Sequence, residues 1–157
     1  MCVPVSFAVM IDTAEVRAAG IIIFRVIDSI REYLLLQAAY EPHHWSPPKG
    51  RLEKDEKEFV AAKREVFEET GLSENDYNII AGFSHQLHYE ANHRQKMVTY
   101  WLAKVVNTTT EIRLSMEHDH YCWCRLEDAK SLIEHSNMLE MILSADQFLS
   151  HHRITSS

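Results

Sequence analysis

Stretches of apolar and β-branched residues alternate along this chain with short polar turns, and this alternation predicts a β-sheet. Asp28 and Ser29 separate the first two stretches, and residues 107–110 separate two later ones. The predicted strands span residues 18–27, 32–39, 77–89, 97–106 and 120–126. Residues 3–10 are also apolar and predict either a strand or a partly ordered extension.

Three segments have the 3.6-residue period of an amphipathic helix. The first is predicted to begin with Asp55 as N-cap, to run to Thr70 and to end at Gly71. The other two span residues 127–135 and 138–152. The predicted apolar side of the first helix consists of Phe59, Ala62, Val66 and Phe67. Strands, one helix, strands and then two helices predict an α+β fold, with helices covering a mixed or antiparallel sheet.

Residues 41–51 interrupt this pattern. The segment contains Pro42, Pro47, Pro48 and Gly50. Because proline lacks a backbone N–H and has a fixed φ, we predict a loop there, with neither a helix nor a central strand.

The chain length of 157 residues fits one domain, residues 1–157, in which residues 1–17 form an extension of unknown role. The formal charge of −7 disfavours nonspecific binding to DNA or RNA, because such binding neutralises many phosphates with cations. An acidic protein can still bind one phosphorylated small molecule where a metal and a few cations offset the repulsion. No apolar run reaches the roughly 18 residues that span a bilayer. Asp12 and Glu15 argue against a signal peptide.

The three cysteines, Cys2, Cys122 and Cys124, contain no C-x-x-C pair. Cys122 and Cys124 would point the same way on a strand, and the simplest interpretation is two buried thiols. We therefore expect neither a disulfide framework nor a zinc site, which fits a reducing compartment and a cytoplasmic location.

Carboxylates gather on one side of the first predicted helix. They are Glu58, Glu65, Glu68 and Glu69. Like charges at this spacing cost about 0.2–0.5 kcal/mol per pair, and the helix macrodipole disfavours anions near the C-terminal end. A solvated acidic surface is the ordinary explanation for such a face. The alternative is a site for a hard cation, because carboxylate oxygens suit magnesium, which also binds water and substrate phosphates.

The surrounding residues favour the cation site, because residues 50–72 resemble the Nudix box. The matching residues are Gly50, Glu56, Arg64, Glu65, Val66, Glu68, Glu69, Gly71 and Leu72. The resemblance to Nudix hydrolases implies a mixed sheet between helices, an α/β/α sandwich. It also implies hydrolysis of a nucleoside diphosphate that is linked to another group.

The same resemblance implies roles for the box residues. The expected contacts to Mg²⁺, or alternatively Mn²⁺, are Glu65, Glu69, the backbone carbonyl of Gly50, and Glu68 as a ligand or an assisting group. Arg64 is expected to hold a box carboxylate through a charge-assisted fork, with Glu56 as its natural partner. Gly71 closes the helix.

The flanks of the box resemble one Nudix subfamily, the asymmetric diadenosine tetraphosphate hydrolases of the animal type. The resemblance covers residues 18–149. It is carried by segments 34–38, 40–50, 100–103 and 114–118 and by Trp123. It implies a dinucleoside polyphosphate as substrate and cleavage to ATP and AMP rather than to two ADP.

Candidate substrate contacts follow from this second resemblance. His44 and Tyr89 are expected to clamp an adenine, with Tyr40 nearby. Trp45 is a candidate for stacking on a purine, at about 1–3 kcal/mol per base, and core packing is the alternative for it. The candidates for holding phosphate oxygens are Lys49, Lys96 and Tyr100.

A catalytic glutamate outside the box is expected at Glu117, although a lone glutamate in a turn would otherwise be interpreted as solvated. We expect metal ions to bridge the carboxylates and the phosphate chain, and a metal-activated water to attack one phosphorus. Glu69 and Glu117 are alternative candidates for the base that accepts the proton of that water.

Three features depart from the subfamily pattern. Lys54 and Asp55 stand where Pro-Gly is usual, which changes the entry to the helix. Met116 replaces the first histidine of a His-Glu-His run, and Asn92 stands where some relatives carry a basic residue.

Alternative functions remain at this point. One is another Nudix substrate, such as a diphosphoinositol polyphosphate, a capped RNA or a nucleotide sugar. The other is a non-catalytic nucleotide-binding module, which would predict eroded box carboxylates, whereas all of them are present here. We expect no membrane association and a monomer.

Overall fold

The computed structural model describes residues 15–91 and 93–152, apart from the side chain of Ala91. The strands are β1 (Val16–Ile27), β2 (Ile30–Ala38), β3 (Trp45–Ser46), β4 (Lys49–Arg51), β5 (Tyr77–Ile79), β6 (His85–Ala91), β7 (Arg94–Val105) and β8 (His118–Cys124). The helices are α1 (Glu58–Thr70), α2 (Leu126–Leu132) and α3 (Ser136–His151). The predictions for residues 3–10 and for Asn92 lie outside the described residues.

In the described part of the chain, eight strands form one mixed sheet. Its path runs β3-β2-β1-β7-β5, with β4 beside β1, β6 beside β7 and β8 beside β2. β1 and β7 are parallel, and the other pairs are antiparallel. A tight turn joins β1 to β2, and its residues Asp28 and Ser29 have the positive φ angles, 50° and 65°, that a two-residue hairpin requires.

Helices cover both faces of this sheet. Side chains on a strand point alternately to opposite faces, so β1 contributes to two cores. Ile21 and Ile23 pack with Ala62 of α1, whereas Ile22 and Phe24 pack with residues of α2 and α3. Each fully buried side chain of this kind contributes about 1.5–3 kcal/mol. The predicted α+β sandwich with a mixed sheet is therefore confirmed.

The first helix differs from its prediction in two ways. Its N-cap is Lys57, and Asp55 has a left-handed φ of 61°, which an N-cap does not adopt. The predicted apolar side is wrong at Phe67, which is 58% exposed because it lies outside the side of α1 that packs against the sheet. The predicted end is confirmed, since Gly71 has a φ of 78° and donates its N–H to the carbonyl of Phe67.

The segment 41–51 contains two short strands, so the prediction of a loop is wrong, although each strand pairs with one neighbour and neither is central. β3 pairs with β2, and β4 pairs with β1. Pro47 and Pro48 lie between the two strands, where their missing N–H groups cost no ladder hydrogen bond. The carbonyl of Pro48 accepts a hydrogen bond from the N–H of Ile21 at 3.2 Å.

Two other boundaries are corrected. The strand predicted at residues 77–89 is divided into β5 and β6, which pair with different parts of β7. β1 starts at Val16, so the last two residues of the predicted N-terminal extension belong to the sheet. Arg17 forms an ion pair with Glu58 at the start of α1.

Cys122 and Cys124 form a disulfide, so the prediction of two thiols is wrong for this pair. Residues two apart on a strand point the same way, and here the Cα atoms are 5.4 Å apart, which is within the range of disulfides. Within the described residues, the helices are too short or too polar to traverse a bilayer.

Candidate active site

Helix α1 brings three box glutamates to one side of the molecule. Ala61, Ala62 and Val66 fix the rotation of the helix, because they are fully buried against the sheet. Glu69 is consequently only 4% exposed. The side chain of Glu65 is 12% exposed and that of Glu68 is 52% exposed, so the three carboxylates form a gradient from the core to solvent.

Strand β4 lies against this helix. The N–H of Lys49 donates a hydrogen bond to Oε2 of Glu69 at 3.1 Å. At Gly50, a Cβ atom would overlap the carboxylate of Glu65, so only glycine allows this close approach of backbone and carboxylate. The pairing of β4 with β1 holds both residues in register beside the helix.

Arg64 ties the box together. Its Nε and Nη2 donate to the two oxygens of Glu56, both at 2.8 Å, which is the predicted fork. Its Nη1 donates to Glu65 at 2.9 Å and to Glu68 at 3.1 Å. Its Nη2 also donates to the carbonyl of Arg51 at 3.0 Å, which links the helix to β4. The hydrogen bonds from Arg64 lower the pKa of Glu56 to about 2.

Burial disfavours the charged forms of Glu65 and Glu69. Burial raises the pKa of Glu69 from 4.5 to about 8, and the nearby charges of Glu65 and Glu117 add to this, while Lys49 opposes it. Burial also raises the pKa of Glu65, against the hydrogen bond from Arg64. Such an arrangement favours a ligand that carries positive charge.

A cavity of about 560 Å³ opens beside these carboxylates. We call it the acidic cavity. It is lined by Tyr40, Lys49, Gly50, Arg51, Glu65, Glu68, Glu69, Ser115, Glu117 and His118. Seven of these residues are sequence candidates, and the cavity brings them together from β4, α1 and the segments before β3 and β8.

Sequence reasoning missed Arg51, Ser115 and His118. Arg51 and His118 follow the candidates Gly50 and Glu117 directly, and this adjacency was the available signal. Burial lowers the pKa of His118, Lys49 acts in the same direction, and Glu117 opposes them.

A smaller cavity of about 140 Å³ adjoins the first. We call it the basic cavity. It is lined by Val16, Ala18, Tyr40, Lys49, Gly50, Arg51, Tyr89, Lys96 and Val98. Its lining includes three cationic side chains and no carboxylate among the described residues, so the two cavities have opposite electrostatic character.

Three predicted substrate contacts line neither cavity. Trp45 is half-buried and packs against the core between the sheet and α3, which favours the packing alternative. His44 packs against His135 with ring centroids 4.6 Å apart, and its Nδ1 lies 3.1 Å from Glu134 without hydrogen-bonding geometry. Tyr100 is fully buried, its hydroxyl has no hydrogen-bond partner among the described residues, and burial raises its pKa.

The residues around α1 fit a divalent cation in their chemistry. Glu65 and Glu69 supply hard oxygen donors whose raised pKa values a cation would lower. Among the described residues, however, no three Asp, Glu, His or Cys side chains are arranged as a ligand group. The guanidinium of Arg64 holds one oxygen of Glu65 and one of Glu68, which leaves the second oxygen of each carboxylate without a hydrogen bond from Arg64.

Comparison with known proteins gives three findings. The family profile described as the NUDIX domain matches residues 16–143. The chain is 41% identical over 135 residues to the bis(5'-nucleosyl)-tetraphosphatase [asymmetrical] of Caenorhabditis elegans, covering 86% of this chain and 97% of the relative. It is 43% identical over 139 residues to the Mus musculus protein of the same name, covering 85% and 95%.

The fold is also similar to a solved structure. A crystal structure of a C. elegans Ap4A hydrolase binary complex has a TM-score of 0.84 and 40% sequence identity to this chain. The match covers 87% of this chain and 98% of that one.

Proposed function

Because this chain belongs to the NUDIX domain family, we propose that it hydrolyses diadenosine tetraphosphate asymmetrically, to ATP and AMP. The observation that carries the proposal is the acidic cavity. It contains Glu65, Glu68, Glu69 and Glu117 and lies next to the basic cavity. The C. elegans and Mus musculus tetraphosphatases, which resemble the chain over 85–86% of its length, support this choice of substrate.

Nudix hydrolases generally need a divalent metal. In this chain Glu65, Glu68, Glu69 and the carbonyl of Gly50 would hold it, with Mg²⁺ as the proposed ion and Mn²⁺ as the alternative. When bound, such an ion would polarise a phosphoryl oxygen and offset the charge of the polyphosphate.

The remaining residues bind and orient the substrate. Lys49 and Lys96 line the cavities and hold phosphate oxygens as point charges. Tyr40 and Tyr89 offer partly exposed rings on which a base can stack. A nucleoside held at one end fixes which phosphorus reaches the carboxylates, and this positioning makes the cleavage asymmetric.

Arg64 is a positioning residue, because it lines neither cavity and acts on Glu56, Glu65 and Glu68. His44, Trp45 and Tyr100 lie outside the two cavity linings. The proposed contacts of these three residues with substrate therefore have no support from either cavity.

Glu69 and Glu117 remain the two candidates for the base. Both face the acidic cavity, and Glu69 is the more buried of the two. Because Glu69 is also a proposed metal ligand, the readout is the pH profile. Conversion of the base to glutamine should remove the acidic limb of the profile of kcat/KM. A glutamine variant at the other position leaves a measurable pH dependence of kcat/KM.

The substrate assignment is tested with equal concentrations of diadenosine tetraphosphate, a capped RNA, a nucleotide sugar and a diphosphoinositol polyphosphate. We expect the highest kcat/KM with diadenosine tetraphosphate, and Glu69→Gln should lower that value by at least about 100-fold. A higher value for another compound would overturn the substrate. Tight nucleotide binding without turnover in the wild type would identify a binding module instead.

A cytoplasmic location and a monomeric state are the remaining parts of the proposal. The disulfide between Cys122 and Cys124 removes the argument from free thiols for that location. Cell fractionation and size-exclusion chromatography test the two points separately.

A further inference from the structure

Arg51 lies where the two cavities meet. It belongs to the group of four residues that line both cavities, with Tyr40, Lys49 and Gly50. Its backbone is fixed, because it pairs with Ala18 of β1 and its carbonyl accepts a hydrogen bond from Arg64. Its side chain is exposed, and the guanidinium makes no hydrogen bond or ion pair with another described residue.

The register of the sheet explains how cations reach the basic cavity. Paired residues on neighbouring strands point to the same face, and alternate residues lie about 6.7 Å apart along a strand. Lys49 pairs with Gly20, and Arg51 pairs with Ala18. Lys96 pairs with Val16. Lysine, arginine and lysine therefore occupy three successive rows on one face.

Gly50 lies between the carboxylates on one face of β4 and the cations on the other. Its missing Cβ points towards Glu65, whereas the neighbouring Lys49 and Arg51 point to the other face of β4. An extended anion that crosses β4 at Gly50 would therefore pass from carboxylates to cations. The three cations also repel one another. Burial is the main cause of the lowered pKa of Lys96, and the charges of Arg51 and Lys49 lower this pKa further. A polyanion would relieve this repulsion.

The volume of the basic cavity indicates which part of a substrate enters it. At about 140 Å³, it is smaller than the roughly 300–1,000 Å³ of sites that enclose a drug-sized ligand. It is therefore suited to phosphoryl groups rather than to a whole nucleotide. Arginine binds a phosphate with two parallel hydrogen bonds, which a lysine does not match.

We propose that Arg51 is a specificity-determining residue that selects for the length of the phosphate chain. A chain held at the α1 carboxylates reaches the guanidinium of Arg51 only if it is long enough to cross Gly50. Short chains stay in the acidic cavity, which Arg51 also lines, and do not extend to the opposite face of β4, to which the register directs its guanidinium. The inference rests on the proposed function, because it assumes that the polyphosphate spans both cavities.

The test is calorimetric titration with inorganic diphosphate, triphosphate and tetraphosphate in the presence of Mg²⁺. The proteins are the wild type, Arg51→Gln, Arg51→Lys and the control Arg125→Gln. The control removes the same charge from an exposed position outside both cavities. This measurement needs no turnover, so it is separate from the test of hydrolysis.

We expect Arg51→Gln to weaken tetraphosphate binding by about 10- to 100-fold, the effect of losing a bidentate charged contact, and to change diphosphate binding by less than about 3-fold. Arg51→Lys should be intermediate, and Arg125→Gln should match the wild type. Equal weakening for all three chain lengths, or no weakening for tetraphosphate, would overturn the inference. A wild type that shows this length dependence but does not cleave diadenosine tetraphosphate would refute the proposed function alone.

Discussion

Glu69 should limit the stability of the metal-free protein at neutral and alkaline pH. Glu69 is 4% exposed, and among the described residues its side chain accepts a hydrogen bond only from the N–H of Lys49. Its pKa is raised from 4.5 to about 8. Between these two values the folded protein binds a proton that the unfolded chain has released. The stability that this proton provides is therefore complete below pH 4.5 and is lost as the pH rises through 8.

The pKa values bound the magnitude of this effect. A difference of about 3.5 at about 1.36 kcal/mol per pKa unit gives an upper value of about 5 kcal/mol. Rearrangement and water entry reduce such penalties, so we expect Glu69→Gln to stabilise the metal-free protein by about 1–3 kcal/mol at pH 8. At about 2–4 °C per kcal/mol for a chain of this size, the melting temperature should rise by roughly 2–12 °C.

The assay is thermal unfolding of wild type and Glu69→Gln in chelator, at pH 4.5 and at pH 8. The two proteins should melt at similar temperatures at pH 4.5 and separate at pH 8. Added Mg²⁺ should stabilise the wild type more than the variant, because the ion removes the same repulsion. A variant that is less stable than the wild type at pH 8, or a difference that does not depend on pH, would refute the electrostatic reasoning.

Two further predictions concern the site, and a third concerns the contact between α3 and β2. Gly50→Ala should lower kcat by at least about 10-fold, because the new Cβ overlaps the Glu65 carboxylate. A variant with both the kcat and the melting temperature of the wild type would contradict this prediction. Arg64→Lys loses the fork to Glu56 and should cost about 1–3 kcal/mol in urea unfolding, and a loss equal to that of an exposed control, Arg125→Lys, would contradict it. Asp146→Asn should cost about 1–3 kcal/mol at pH 7, because Asp146 accepts hydrogen bonds from Arg31 at 2.9 Å and Tyr33 at 2.6 Å. These bonds outweigh burial and lower the pKa of Asp146 below 3.8, so its contribution is present above that pH and the gap to the variant should narrow in acid.

Local patterns were sufficient for most of the fold. The β1–β2 hairpin follows from β-branched runs on both sides of Asp28 and Ser29, and the end of α1 follows from Gly71. The loop prediction for residues 41–51 failed because β4 is stabilised by pairing with β1, which is distant in sequence. The β-propensity of a segment contains no information about such a distant partner strand.

The carboxylates of the site could be predicted from the sequence, whereas several residues that line the cavities could not. The spacing of Glu65, Glu68 and Glu69 on one helix brings them together in any structure in which the helix forms. Membership of the cavities depends on the register between strands, and this is why Arg51 and His118 were missed. Trp45 shows the opposite case, since an aromatic ring suits a base and a core equally well until the packing is known.

The disulfide had no local signal beyond the i, i+2 spacing of Cys122 and Cys124. On a strand, this spacing places the two side chains on the same face. It does not determine whether the pair is oxidised, because that depends on the compartment as well as on geometry.

The most direct test of the account is to incubate the purified protein with diadenosine tetraphosphate and Mg²⁺ in ¹⁸O-labelled water and to separate the nucleotides. We predict ATP and AMP in equal amounts, formation that stops in excess chelator, and ¹⁸O in only one of the two products. Formation of ADP, or undiminished cleavage in chelator, would contradict the claim that the α1 carboxylates direct an asymmetric, metal-dependent cut.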